Sequence, residues 1–104
     1  MVFGDGEEIK IDGKTFIVHK APATAAYDFG LRYKLALEKK DPEALSKCTY
    51  LLLKYVEVVL EDGRKIPLDN QEIINQHVQS ATALLELQGK AVSVNFNSSS
   101  TENH

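Results

Sequence analysis

The stretch Val56–Ile74, VEVVLEDGRKIPLDNQEII, decides how the chain is read. It carries two incompatible signals. Upstream, Glu43, Lys47, Tyr50, Lys54 and Glu57 recur at steps of four and three residues, the polar stripe of a helix, and one more step reaches Glu61. On that reading a single helix runs through Leu60. Val56, Val58 and Val59 argue the other way, because a branched Cβ loses rotamer freedom in a helix and packs well in a strand. Glu61-Asp62-Gly63 then becomes a three-residue hairpin loop with glycine in the left-handed position. We adopt the second reading. The helix stops near Val56, and residues 57–60 and 64–67 pair as a short hairpin. Pro67 lacks an N–H and belongs on an edge strand or at a strand end. Asp69-Asn70-Gln71-Glu72 opens a new helix, with Asp69 as the cap and Glu72 three residues on, a variant of the capping box.

Working outward toward the N-terminus, residues 7–19 (EEIKIDGKTFIVH) read as another hairpin. Ile9 and Ile11 alternate with Glu8 and Lys10, the period of a half-buried strand. Asp12-Gly13 suits a type I′ turn, and Thr15, Phe16, Ile17 and Val18 are strand formers. A first helix follows from Ala23 to Lys40, with Pro22 at its start and Gly30 as its weak position. At 100° per residue, Ala25, Ala26, Phe29, Tyr33, Ala36 and Leu37 share one face. Tyr27, Leu31 and Leu35 lie nearly opposite. Two alternatives stay open: the helix is central, with Leu31 and Leu35 packed under the hairpins, or the second face meets a partner. Asp41-Pro42 restarts the chain as a second helix, with Leu45, Cys48, Leu52 and Tyr55 inward. Tyr50 on its polar stripe is an exposed aromatic of the kind enriched at contacts.

Toward the C-terminus the third helix buries Ile74, His77, Val78, Ala81, Leu84 and Leu85, and Gly89 ends it as a left-handed C′ residue. The remainder, KAVSVNFNSSSTENH, is increasingly polar and reads as a flexible tail. The expected architecture is α+β: an N-terminal β-hairpin, three main helices and a second short hairpin between helices two and three. Residues 1–89 form one compact domain, and 90–104 form the tail.

Composition bounds the function. The 104 residues suit one domain with a real core. Twelve basic residues against fifteen acidic ones give a net charge of -3, which weighs against a nucleic-acid binder. Cys48 is the sole cysteine, so neither an intramolecular disulfide nor a cysteine metal cluster is available. The start, MVFGDGEEIKI, has no basic region followed by an apolar run, and no window is apolar enough to span a membrane. A soluble cytoplasmic protein is expected.

No constellation of reactive groups stands out. His77 has no acidic or cysteine neighbour at metal-ligand spacing, His19 ends a strand, and His104 lies on the tail. Cys48 reads as a small buried hydrophobe. No GxSxG occurs, and the glycines of FGDGEE are not framed by a strand and a helix as a phosphate loop requires. The expectation is a protein without catalytic residues, metal or cofactor, acting through its surface. Tyr27, Leu31, Leu35 and Tyr50 are the candidate partner-binding residues.

The order of segments resembles a known family. FIVHKAPATAAYDF runs a strand into an alanine-rich helix start; DPEALSKCTYLLLKYVEVVLEDGRKIPLD and QEIINQHVQSATALLEL follow. This layout, with its P-A-T-A helix start and G-x-x-I-P-L step, resembles the tail assembly chaperones of long-tailed bacteriophages and prophages over residues 7–88. The resemblance implies a protein that binds the long helical tape measure protein in the host cytoplasm, keeps it soluble and helps recruit tail tube subunits. Such a protein is absent from the mature virion, and many members of the family are made in two lengths, the longer by a programmed ribosomal frameshift. Homo-oligomerisation is compatible with it. The rival reading is a small non-catalytic cytoplasmic adaptor, unrelated to phage, that binds one partner helix. A third, an enzyme subunit, requires a cofactor bound in a pocket.

Overall fold

The structure, a computed structural model, describes residues 6–96. Strands β1 (Gly6–Ile11) and β2 (Lys14–His19) form the first hairpin. Asp12 and Gly13 take φ of 54° and 80°, the double left-handed conformation that a type I′ turn demands. Helices α1 (Ala23–Lys39) and α2 (Pro42–Leu53) follow. Lys40 turns left-handed between them and donates its N–H to the carbonyls of Ala36 and Leu37. Asp41 then caps α2, its Oδ1 accepting the N–H groups of Glu43 at 3.1 Å and Ala44 at 3.2 Å.

The decisive stretch is a hairpin. Helix α2 ends at Leu53, slightly before Val56, and β3 (Val56–Val59) pairs with β4 (Lys65–Pro67). Gly63 supplies the left-handed turn at φ 91°, and Pro67 lies on the edge strand. All four strands form one antiparallel sheet in the order β1-β2-β3-β4. The register sets Phe16 opposite Val58 and Val18 opposite Val56. These four are fully buried on one face, while Ile17, Glu57 and Val59 are half-buried on the other.

The expected third helix is two helices. Asn70, not Asp69, is the cap: its Oδ1 accepts the Ile73 N–H at 2.9 Å and starts α3 (Gln71–His77). Val78 is extended at φ -105° and ψ 114°, which breaks the helix. Ser80 restarts the chain, its Oγ accepting the Ala83 N–H at 3.1 Å, and α4 runs from Ala81 to Phe96. Gly89 therefore lies inside α4 and is not a C′ residue. The stretch 90–96, expected in the tail, belongs to this helix and contains buried Ala91 and Val94. Ala83, Leu87, Ala91 and Val94 form one stripe, and its burial offsets the roughly 1 kcal/mol that a helical glycine costs relative to alanine. The expected inward residue Leu85 faces outward instead. The rest of the tail, 97–104, lies outside the described residues.

The layers follow from these faces. Helix α4 lies against β1 and β2, α2 packs on α4, and α1 packs on α2. The Lys90 ammonium pairs with the Glu7 carboxylate across the α4–β1 contact. The core is built on Phe16, Leu52, Leu53, Leu68 and Leu87 with the sheet valines.

Candidate partner-binding surface

Helix α1 is held by a narrow seam. Its buried residues are Ala26, Phe29 and Ala36. Phe29 stacks on Tyr33, with ring centroids 5.5 Å apart, and meets Phe96 of α4 at 6.0 Å. Gly30 lies under the same Phe96 ring, where a Cβ would sit 3.6 Å from the nearest ring carbons. The helix start is tied down by Asn95, whose Oδ1 accepts the Ala21 N–H at 2.9 Å.

The opposite side of α1 is open. Tyr27 is 67% exposed, Leu31 52% and Leu35 51%. The alternative that put Leu31 and Leu35 under the hairpins is thereby excluded. The three residues are spaced i, i+4, i+8 and make a continuous ridge. Asp28 and Arg32 pair beside it at 2.8 Å, and both side chains are more than half exposed.

Two expectations need correction. Tyr33 and Leu37, placed by periodicity on the packed face, are 37% and 50% exposed. The seam is built from small residues and one phenylalanine, so it is too narrow to cover them. With Leu85 they border a second groove of about 350 Å³ that also touches Pro42 and Leu45. Tyr50 is not an exposed aromatic. It is half-buried and packs against the core cluster. Tyrosine has an apolar body and a polar tip, so a place on the polar stripe still allowed its ring to be covered. The structure brings Tyr27, Leu31 and Leu35 together and leaves Tyr50 apart from them on α2. Leu45 and Tyr55, expected inward, are half-buried, whereas Cys48 and Leu52 are buried as expected.

A groove of about 360 Å³ lies between α1 and α2. Buried Ala36 and Cys48 are at its base, Leu35 and Leu51 supply apolar wall, and Arg32, Lys39, Lys47 and Asp41 surround it. Burial pushes the Cys48 thiol up from its ordinary range, opposed by the nearby Arg32 guanidinium. That setting holds the neutral thiol, not a nucleophilic thiolate.

The histidines have distinct surroundings. The His19 ring is buried and its Nε2 lies 2.8 Å from Glu57 Oε1, diagonally across β2 and β3. The sequence places His19 at a strand end, and only the β2–β3 register shows this contact. The His77 ring is half-buried, and its Nδ1 is inaccessible with no hydrogen-bond partner. Burial lowers its pKa from 6.5, and the Lys14 ammonium lowers it further. His104 lies outside the described residues. Among the described residues no group of three or more His, Cys, Asp or Glu is placed to hold a metal ion. No helix among them is long and apolar enough to cross a membrane.

No family model, curated protein or solved structure matches this chain.

Proposed function

We propose that this chain is a non-catalytic tail assembly chaperone of a phage or prophage. It holds the tape measure protein soluble in the host cytoplasm, helps recruit tail tube subunits and leaves before the virion is complete. The observation that carries this reading is the ridge Tyr27-Leu31-Leu35. Large apolar side chains at i, i+4 and i+8 pack into the matching groove of another helix at a crossing angle near -50°. A long, helical and aggregation-prone partner offers many such grooves. The motifs behind the family resemblance frame the same element: P-A-T-A begins α1, and G-x-x-I-P-L forms the Gly63 turn and the edge strand β4.

Co-expression with the neighbouring tape measure gene tests the proposal. The wild-type chain should keep that protein in the soluble fraction and copurify with it. Leu31→Arg should leave the thermal melt close to wild type, because Leu31 is half exposed, and should lose the partner. A variant that captures the partner as well as wild type removes the ridge from the mechanism. Gene order separates this reading from the adaptor: a chaperone gene lies just upstream of a very long, helical reading frame.

The frameshift carries its own prediction. A slippery heptamer is expected in the codons after Leu87, with an open -1 frame beyond it. Gly89-Lys90 can be encoded by a suitable purine run. Helix α4 sharpens the expectation, because Ala91, Val94 and Asn95 are built into the fold. A slip at codons 89–90 requires the alternative frame to restore small apolar residues at 91 and 94, whereas a slip after codon 96 keeps α4 unchanged. The gene sequence decides it: without a slippery run after codon 87, or with an immediate stop in the second frame, there is no longer product.

A further inference from the structure

We propose that the groove between α1 and α2 is a charge-selective docking site for an apolar helical segment flanked by acidic residues. The inference rests on the partner-binding reading above and specifies the chemistry of the segment bound.

The groove lining is rich in cations although the chain is negative. Arg32, Lys39 and Lys47 line it with the carboxylate of Asp41, while Asp28 and Glu43 pair with Arg32 and Lys47 from outside the lining and the whole chain carries -3. Asp41 is already committed, since its Oδ1 accepts two backbone N–H groups at the start of α2. The three cations are weakly engaged. Lys47 sits 3.7 Å from Glu43 with both side chains at least three-quarters exposed, and Arg32 pairs with Asp28 at 2.8 Å with both side chains more than half exposed. Exposed pairs of this kind exchange partners readily. Lys39 enters no ion pair among the described residues.

Shape and continuity identify the occupant as a peptide segment. The walls of the groove are two packed helices, and Leu35 and Leu51 give it apolar wall. Leu35 is also the last residue of the exposed ridge. A partner helix that crosses the ridge therefore passes from Leu31 over Leu35 into the groove, where its flanking carboxylates meet the cations. The lysine and arginine stems add apolar wall while their heads stay in water. A polyphosphate fits less well: the groove has no aromatic face for bases to stack on, and the rest of the molecule repels it.

The test uses the full chain and two fluorescent helical peptides with the same apolar face, one flanked by glutamates and one by lysines. Anisotropy titrations should show the glutamate peptide binding about tenfold tighter in low salt, with the ratio falling toward one as salt screens the charges. The double variant Lys39→Gln, Lys47→Gln should reduce that preference to about twofold, at an unchanged melting temperature, because both side chains are exposed. Leu31→Arg should retain it, since Leu31 does not line the groove. Equal affinities, a preference for lysine flanks, no binding of either peptide, or a preference indifferent to the glutamine substitutions would each overturn the proposal. So would an oligothymidylate that displaces the glutamate peptide. If Leu31→Arg keeps the tape measure protein while the glutamate preference stands, the ridge reading fails alone. If Leu31→Arg loses that protein and the preference is absent, the groove fails alone.

Discussion

Helices α1 and α4 are of nearly equal length, 17 and 16 residues, yet they use their side chains in opposite ways. Helix α4 buries Ala83, Leu87, Ala91 and Val94 and contacts the sheet and α2. Helix α1 turns alanines and one phenylalanine inward and leaves tyrosines and leucines in water. The first arrangement stores stability in the fold. The second leaves apolar surface in water, and it is this surface that the proposed function assigns to association. An apolar side chain thus contributes to the core only where a neighbouring face is wide enough to receive it.

The contrast can be broken at its strongest point by matched truncations. Leu87 is fully buried, so Leu87→Ala should cost about 2–5 kcal/mol in urea unfolding, from lost transfer energy and the cavity left behind. Leu31→Ala should stay within about 0.5 kcal/mol of wild type, as a surface substitution does. A loss of several kcal/mol at Leu31 would make α1 a core helix like α4.

A smaller effect of opposite sign sharpens the picture of α4. Nothing lies within 4 Å of a Cβ built on Gly89, so Gly89→Ala should stabilise the fold by roughly 0.5–1 kcal/mol. A loss of stability would return Gly89 to a helix-ending role and detach residues 90–96 from the fold.

The smallest effect expected is at the α3–α4 junction. The folded state holds His77 below its ordinary pKa, so the unfolded chain takes up the proton first. Its contribution to stability is complete above pH 6.5 and is lost as the pH falls through the folded-state pKa. Acidification from neutral pH should therefore destabilise wild type more than His77→Leu, measured as the difference in melting temperature across a pH series. Equal pH dependence would mean that His77 is solvated in the folded state.

The hairpins were legible because their signals are local: Asp12-Gly13 and Glu61-Asp62-Gly63 each specify a turn, and alternation or β-branching marks the strands beside them. Asp41-Pro42 was legible for the same reason. The α3–α4 break was not, since Ser80 looks like any rim serine until its Oγ is seen to cap a helix. Gly89 and the polar residues after it hid a stripe that continues on its far side through Ala91 and Val94. Periodicity grouped Tyr27, Leu31 and Leu35 but left their exposure open. An apolar residue on either face of a helix looks the same before the neighbouring elements are placed. The cation-lined groove was invisible because Arg32 and Lys39 of α1 come beside Lys47 of α2 only after the two helices have packed.

The hydrogen bond from the Ala21 N–H to Asn95 spans 74 positions and closes everything from α1 to α4 into one loop. Closing a loop of that length carries an entropy cost that grows only slowly with its size, but the contact forms only when both ends are present. The start of α1 is therefore fastened by the final turn of α4. A nascent or proteolysed chain ending before Asn95 has all the residues of the ridge and neither the Asn95 clasp nor the Phe96 ring that positions it. Presentation of the apolar ridge is in this way coupled to the folding of α4, and a chain cut within that helix carries the same residues on an unfastened α1.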